Sequence, residues 1–124
     1  MDNQFAKPTV LVQRVASVIL VALLIIFASI LGVYLYRASD PYVQEVFSLN
    51  RNPARGEAIF EINCAGCHGK QGDGHVGPTL HHVSKHMSEL SVIDQITSGD
   101  TPPMPKFQPD PQEMADLLGY LEEL

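Results

Sequence analysis

Five consecutive residues, Cys64-Ala65-Gly66-Cys67-His68, constrain this chain more than any other stretch. They hold both cysteines of the sequence, spaced C-x-x-C, with a histidine directly after. That spacing is the attachment signature of a c-type haem. Two thiols three positions apart can each add to one vinyl group, and the adjacent imidazole is then held beneath the iron as proximal ligand. A chain that carries a flat apolar group on one turn has to fold around it. Two other chemistries use cysteine pairs. A structural zinc site takes four ligands, usually two Cys pairs or a Cys pair and a His pair. Here one Cys pair is followed by His75, His81, His82 and His86. A redox dithiol of the thioredoxin kind belongs in a βαβ surround, which the pattern lacks, and a plain disulfide leaves the histidine without a role. Haem is the expectation.

The chain has 124 residues, about one domain, and no tryptophan. Much of its apolar content sits in one N-terminal block, and removing that block leaves roughly 75–85 residues, a size at which a core alone is marginal and a staple is expected. A covalent haem supplies that staple. Charge is split: residues 1–39 carry Lys7, Arg14 and Arg37 against Asp2, whereas residues 40–124 carry most of the acid and leave the whole chain at −6. An acidic domain argues against nucleic acid and for a basic docking surface on a partner.

Residues 15–36 contain no charge. At about 1.5 Å per residue they span roughly 33 Å, enough to cross a hydrocarbon core of about 30 Å. Arg14 and Arg37 bracket the run, and Tyr34 and Tyr36 lie where an interfacial aromatic belt belongs. A cleaved signal peptide would have an apolar region of about 7–15 residues and a small-x-small site. This run is longer and ends in tyrosines and an arginine, so an uncleaved signal anchor is expected. The expected organisation is a short N-terminus over residues 1–14, a membrane span over 15–36, a tether over 37–52 and a haem domain over 53–124. In the tether, Val43, Val46 and Phe47 have helix-like spacing, leaving room for a short helix.

Within the head, Asn52 suits a helix N-cap and Pro53 the first helical position. That helix runs directly into Cys64. Four glycines between residues 69 and 80 exclude a helix and read as a loop wrapped close to something flat. Within it, Gly77-Pro78 can place a backbone carbonyl rigidly and Leu80 can supply an apolar contact. Ser88 and Gly99 bound a second helix with Leu90, Ile93 and Ile96 on its buried stripe. Asp110, Pro111 and Glu113 open the last helix as a capping box.

Between these two helices lies Asp100-Thr-Pro-Pro-Met104-Pro-Lys-Phe107. Three prolines around one methionine restrict the chain before it folds, which is a way to hold a flexible thioether at a fixed point. With His68 on one face of the iron, Met104 is the expected ligand on the other. His81, His82 and His86 compete for that place, Met87 and Met114 read as packing, and an open face is the remaining alternative. Met/His ligation raises the reduction potential and closes both faces, favouring outer-sphere electron transfer. An open face would permit sensing or peroxidase-like chemistry. No general base or nucleophile is evident to support an enzyme, so no small-molecule substrate is expected.

From about residue 53 onward the chain resembles the class I cytochromes c. The residues that carry the resemblance are Gly56-x-x-x-Phe60, Cys64-x-x-Cys67-His68, Gly77-Pro78-x-Leu80, Pro103-Met104-Pro105-x-Phe107 and Leu117-x-x-Tyr120. More narrowly, the N-terminal anchor, the Asn-Cys-Ala-Gly-Cys-His-Gly turn and the Thr-Pro-Pro-Met-Pro-Lys-Phe loop are similar to the cyanobacterial cytochromes M. The resemblance implies an all-α fold: three main helices around one covalent haem c, preceded here by a single transmembrane helix. It implies that the first and last helices of the head cross at Gly56, and that the Pro78 carbonyl accepts a bond from His68. It also implies haem attachment on the non-cytoplasmic side. The flanking charges are close to balanced, so this feature orients the anchor: N-terminus in the cytoplasm, haem domain in the lumen or periplasm of a thylakoid or plasma membrane. The implied function is one-electron transfer in a photosynthetic or respiratory chain. The implied partners are redox proteins or membrane complexes: an oxidase, a photosystem or a quinol-oxidising complex. A fixed haem-bearing subunit of such a complex is the rival reading.

Overall fold

A computed structural model describes residues 8–124, and the regular structure in them is entirely helical. The chain divides into two compact units, Met1–Arg37 and Ala38–Leu124. The described residues of the first belong to α1, Pro8–Ala38. Residues 9–37 are all exposed, and the stretch Thr9–Ala38, with a mean hydropathy of 3.0 in its most apolar window, is long and apolar enough to cross a membrane. Its two serines turn inward on the helix itself: Ser17 and Ser29 each donate to the carbonyl four residues earlier, at 2.8 Å. Such back-bonding satisfies a polar group without water. The helix is longer than the apolar run because the residues flanking that run carry no helix breaker until Asp40-Pro41. Of the expected N-terminal segment, residues 8–14 are helical and residues 1–7, with Asp2 and Lys7, lie outside the described residues.

In the second unit, the stretch expected as a tether holds the short helix for which the valine spacing left room. This is α2, Pro41–Ser48, capped by Asp40, whose carboxylate accepts the Tyr42 N–H at 2.8 Å. Val43 and Val46, three apart and so on one face, are buried in the head's core. The Tyr42 hydroxyl donates to the Pro109 carbonyl at 3.0 Å. Burial and two neighbouring carboxylates, Asp110 and Glu113, push this phenol up to about 12. The physical reason is amphipathicity: a short helix with two buried valines packs down rather than remaining extended.

The frame of the head is the crossing of α3, Pro53–Asn63, with α7, Pro111–Glu123. Asn52 caps α3, and Asp110 with Glu113 forms a complete capping box on α7. Gly56 sits at the crossing. A Cβ there would fall onto the Asp116 carbonyl and lie 2.9 Å from the Tyr120 Cβ, so only glycine lets the helices approach this closely. One turn on, Phe60 is fully buried with its ring 5.3 Å from that of Tyr120, tilted by 53°, within the centroid spacing that aromatic pairs favour. Met114, Leu117, Leu118 and Leu121 complete the α7 side. The buried Asp116 stitches the crossing together: Oδ1 accepts the Asn52 N–H at 2.8 Å and the Gln112 amide at 2.9 Å, and Oδ2 faces Arg55 Nε at 3.4 Å.

Two one-turn helices follow, α4 (Ala65–His68) and α5 (Val83–His86), and then α6, Glu89–Ser98. Ser88 caps α6, Gly99 ends it in the left-handed conformation at φ 74°, and Val92, Ile93 and Ile96 are its buried stripe. Arg51 binds α6 to α7. Its guanidinium forks onto Glu89 at 2.6 and 2.9 Å and reaches Glu122 at 2.7 Å. These bonds hold the Glu89 carboxyl below the usual carboxylate range, while hydrogen bonding with Glu89 and burial raise Glu122.

Candidate haem site

The attachment turn is helical. α3 ends at Cys64, whose carbonyl accepts the Cys67 and His68 N–H groups at 3.1 and 2.9 Å, so α4 begins within the motif itself. This puts the two cysteines in unlike surroundings. Cys64 is half-buried against the core, and burial, with Cys67 adding to it, pushes its thiol up to about 11. Cys67 is exposed.

His68 is buried at 8% exposure, and its Nδ1 lies 2.9 Å from the Pro78 carbonyl oxygen. A carbonyl only accepts, so Nδ1 carries the proton and Nε2 keeps its lone pair. A fixed tautomer of this kind is how ligating imidazoles are usually oriented. The loop that brings Pro78 is bonded backbone to backbone onto the turn it covers. Gly74 N–H donates to His68 O and Gly77 N–H to Cys67 O, both at 2.7 Å. Gly69, Gly72 and Gly74 take positive φ of 83°, 70° and 92°. Gly77 lies flush on the imidazole: a Cβ there would be 2.8 Å from Cε1 and 2.9 Å from Nδ1 of His68. Farther along, Leu80 N–H donates to Gly72 O at 2.7 Å, which turns Leu80 toward the core it packs against.

Met104 also packs half-buried against this core, in the loop between α6 and α7. The loop closes back on α6, with Phe107 N–H donating to Ile96 O and Met104 N–H to Thr101 O, both at 2.9 Å. It contains a cis peptide between Pro102 and Pro103. The sulfur accepts from the Gln95 amide at 3.7 Å, a contact that no sequence pattern announces.

The structure thus sets Cys64, Leu80 and Met104 around one core and joins Pro78 to His68. Of the competing residues, His81, His82 and His86 are exposed, and the Nδ1 of His81 is 3.0 Å from the Leu124 carbonyl. Met114 is fully buried on α7, and Met87 lines a small apolar crevice between α5, α6 and α7. Among the described residues no group of three or more His, Cys, Asp or Glu is arranged to hold a metal ion. The residues fit a haem: an imidazole with its outer nitrogen committed to a carbonyl, a glycine that clears space over the ring, and a thioether at the edge of an apolar core.

Comparison with known proteins agrees. The profile of the family described as "Cytochrome C oxidase, cbb3-type, subunit III" matches residues 51–121. The chain is 56% identical over 85 residues to "Cytochrome c-553-like" of Synechocystis, covering 68% of this chain and 81% of that one. It is 34% identical over 70 residues to "Cytochrome c-551" of Bacillus subtilis, covering 56% and 62%. Among solved structures, cytochrome cL of Hyphomicrobium denitrificans shares the fold with a TM-score of 0.52 at 23% identity, over 68% of this chain and 58% of that one. Such cytochromes carry a covalently attached haem c and exchange electrons with redox partners; they are electron-transfer proteins and not enzymes. The chain belongs to this cytochrome c family, as a class I c-type cytochrome.

Proposed function

We propose that the protein is a membrane-anchored, one-electron carrier whose haem is attached through Cys64 and Cys67, with His68 and Met104 as the axial pair and Pro78 and Leu80 lining the pocket. The observation that carries this reading is the Nδ1–carbonyl bond of 2.9 Å between His68 and Pro78 inside a C-x-x-C-H turn. When bound, the haem iron supplies a reversible one-electron couple. The chain's part is to hold its surroundings still: Pro78 fixes the imidazole, Gly77 keeps its plane clear, and the proline loop holds the thioether. A group held on both faces exchanges an electron with little rearrangement. In this reading α1 is the anchor, with the N-terminus cytoplasmic and the head in the lumen or periplasm. The acidic head docks on basic surfaces of a photosystem, oxidase or quinol-oxidising complex.

An optical redox titration of the membrane-bound protein tests the reading. Met104→Ala is expected to lower the potential and let carbon monoxide bind the reduced protein, while Met87→Ala leaves both unchanged. An unaltered potential and spectrum in Met104→Ala would overturn the axial pair. A second reading, a fixed subunit of an oxidase, is favoured by the matching family's being described as an oxidase subunit. Co-purification at constant stoichiometry in mild detergent supports the subunit, and salt-sensitive, reversible binding supports the carrier.

A further inference from the structure

We propose that α2 rests on the surface of the bilayer that α1 crosses, with Phe47 entering the layer of lipid headgroups, so that the haem head rides on the membrane and meets its redox partners there. This placement rests on the reading of α1 as a membrane anchor and deepens it, by naming a lipid surface as something the head itself binds.

The chain between span and head is short. The charge-free run ends at Tyr36, α1 ends at Ala38 and α2 begins at Pro41, which leaves only Ser39 and Asp40 between the two helices. Residues 37 and 38 add a helical rise of about 3 Å, and the chain from Ala38 to Pro41 reaches about 11 Å when fully extended. The start of α2 is therefore confined within about 14 Å of the hydrocarbon edge, of which the headgroup layer takes up about 5–8 Å. A unit of this size has a radius of gyration of about 12 Å. The remaining slack is smaller than that radius, so the head cannot lift clear of the lipid.

Nor does α2 peel away from the head to lengthen the connection. Val43 and Val46 are buried in the head's core, and the Tyr42 hydroxyl is bonded to the Pro109 carbonyl. Ahead of them, Asp40 caps the helix and the Gln44 amide donates to the carbonyl of Ala38, where the second unit begins. That carbonyl is among the last four of α1, which have no partner within their own helix. Bare carbonyls are costly close to hydrocarbon, and Gln44 supplies the missing donor.

With the valines inward, α2 turns Pro41, Gln44, Glu45, Phe47 and Ser48 outward. Phe47 is 41% exposed, and an aromatic ring on an amphipathic helix is a common entry point into the headgroup boundary. Glu45 is the one charged residue of α2, which suits a zwitterionic or uncharged lipid better than an anionic one. One ring binds lipid weakly by itself. The span makes the encounter intramolecular, and at the resulting effective concentration a weak contact suffices.

Photolabelling of the full-length, haem-loaded protein in phosphatidylcholine vesicles tests the proposal, with a diazirine placed on the lipid near its glycerol esters. Mass spectrometry should find adducts within residues 41–48, centred on Phe47, in addition to those on α1. Phe47→Ser should lower the α2 adducts about fivefold, the worth of the exposed part of one phenyl ring, with the haem spectrum unchanged. A flexible Gly-Ser segment of about 15 residues inserted between Ser39 and Asp40 should lower them about tenfold, because effective concentration falls roughly as the −3/2 power of linker length. The wild-type adducts stand even where a variant does not fold. Labelled α1 with a silent α2, or α2 adducts undiminished in both variants, overturns this proposal alone. A silent α2 that cross-links to a second copy of the chain gives the face to a dimer and overturns it too. Protein that leaves the vesicles, or that carries no α1, overturns the anchor reading beneath it.

Discussion

Two loops hold the two candidate iron ligands in place, one by covering His68 and one by carrying Met104, and they reach rigidity by opposite routes. The loop after the attachment turn is rich in glycine: three of its glycines take positive φ, and it is fixed after folding by short backbone bonds to Cys67 and His68. The loop between α6 and α7 is rich in proline, has little freedom before folding, and makes few backbone bonds of its own. The difference follows from what each must do. The first has to bring backbone against an aromatic ring, and Gly77 leaves no room for a side chain there. The second has to hold the base of a flexible side chain, whose sulfur lies 3.7 Å from the Gln95 amide on α6. Close approach calls for glycine and distant support for proline.

The contrast can be broken most forcefully at Gly77. Gly77→Ala puts a methyl group 2.8 Å from the His68 ring, and overpacking of this kind costs about 1–3 kcal/mol. Thermal unfolding of the haem-loaded protein should show that loss together with a changed proximal-ligand spectrum. A smaller effect is expected where the proline loop leaves for α7, at the Tyr42–Pro109 bond. Tyr42→Phe should cost about 0.5–1.5 kcal/mol at neutral pH, the worth of one hydrogen bond. The Tyr42 phenol is raised from 10.0 to about 12. Its folded form therefore holds a proton that the unfolded form releases first. The associated stability is complete below pH 10 and is lost as pH rises toward 12. Urea unfolding at neutral and alkaline pH should show that this loss is smaller in Tyr42→Phe. The smallest effect belongs to Pro105→Ala, about 0.4–1 kcal/mol through greater freedom of the unfolded chain, with an unchanged haem spectrum. A large spectral change there would mean that proline geometry also aims the sulfur.

What could be read from the sequence was local chemistry. The caps at Asn52, Ser88 and Asp110 work within three residues of themselves, and each is present as the spacing predicts. The C-x-x-C-H turn is equally local. What escaped were meetings between distant residues. The valine spacing in residues 41–48 was visible, but the surface that buries it comes from the far end of the chain. Arg51 gives no sign that it will join Glu89 to Glu122, and Gln95 gives none that a loop nine residues later will return a sulfur to it. Sequence periodicity marks which face is apolar; it is silent on which face it meets.

The two longest helices use their letters differently. On α1 the side chains of residues 9–37 are all exposed, so the helix specifies little more than an average composition, and shuffling its apolar letters would leave the message intact. On α7 every residue from 114 to 121 is buried, Asp116 and Gly119 included. No synonyms are left along two full turns, and the last helix is where the chain is least free to vary.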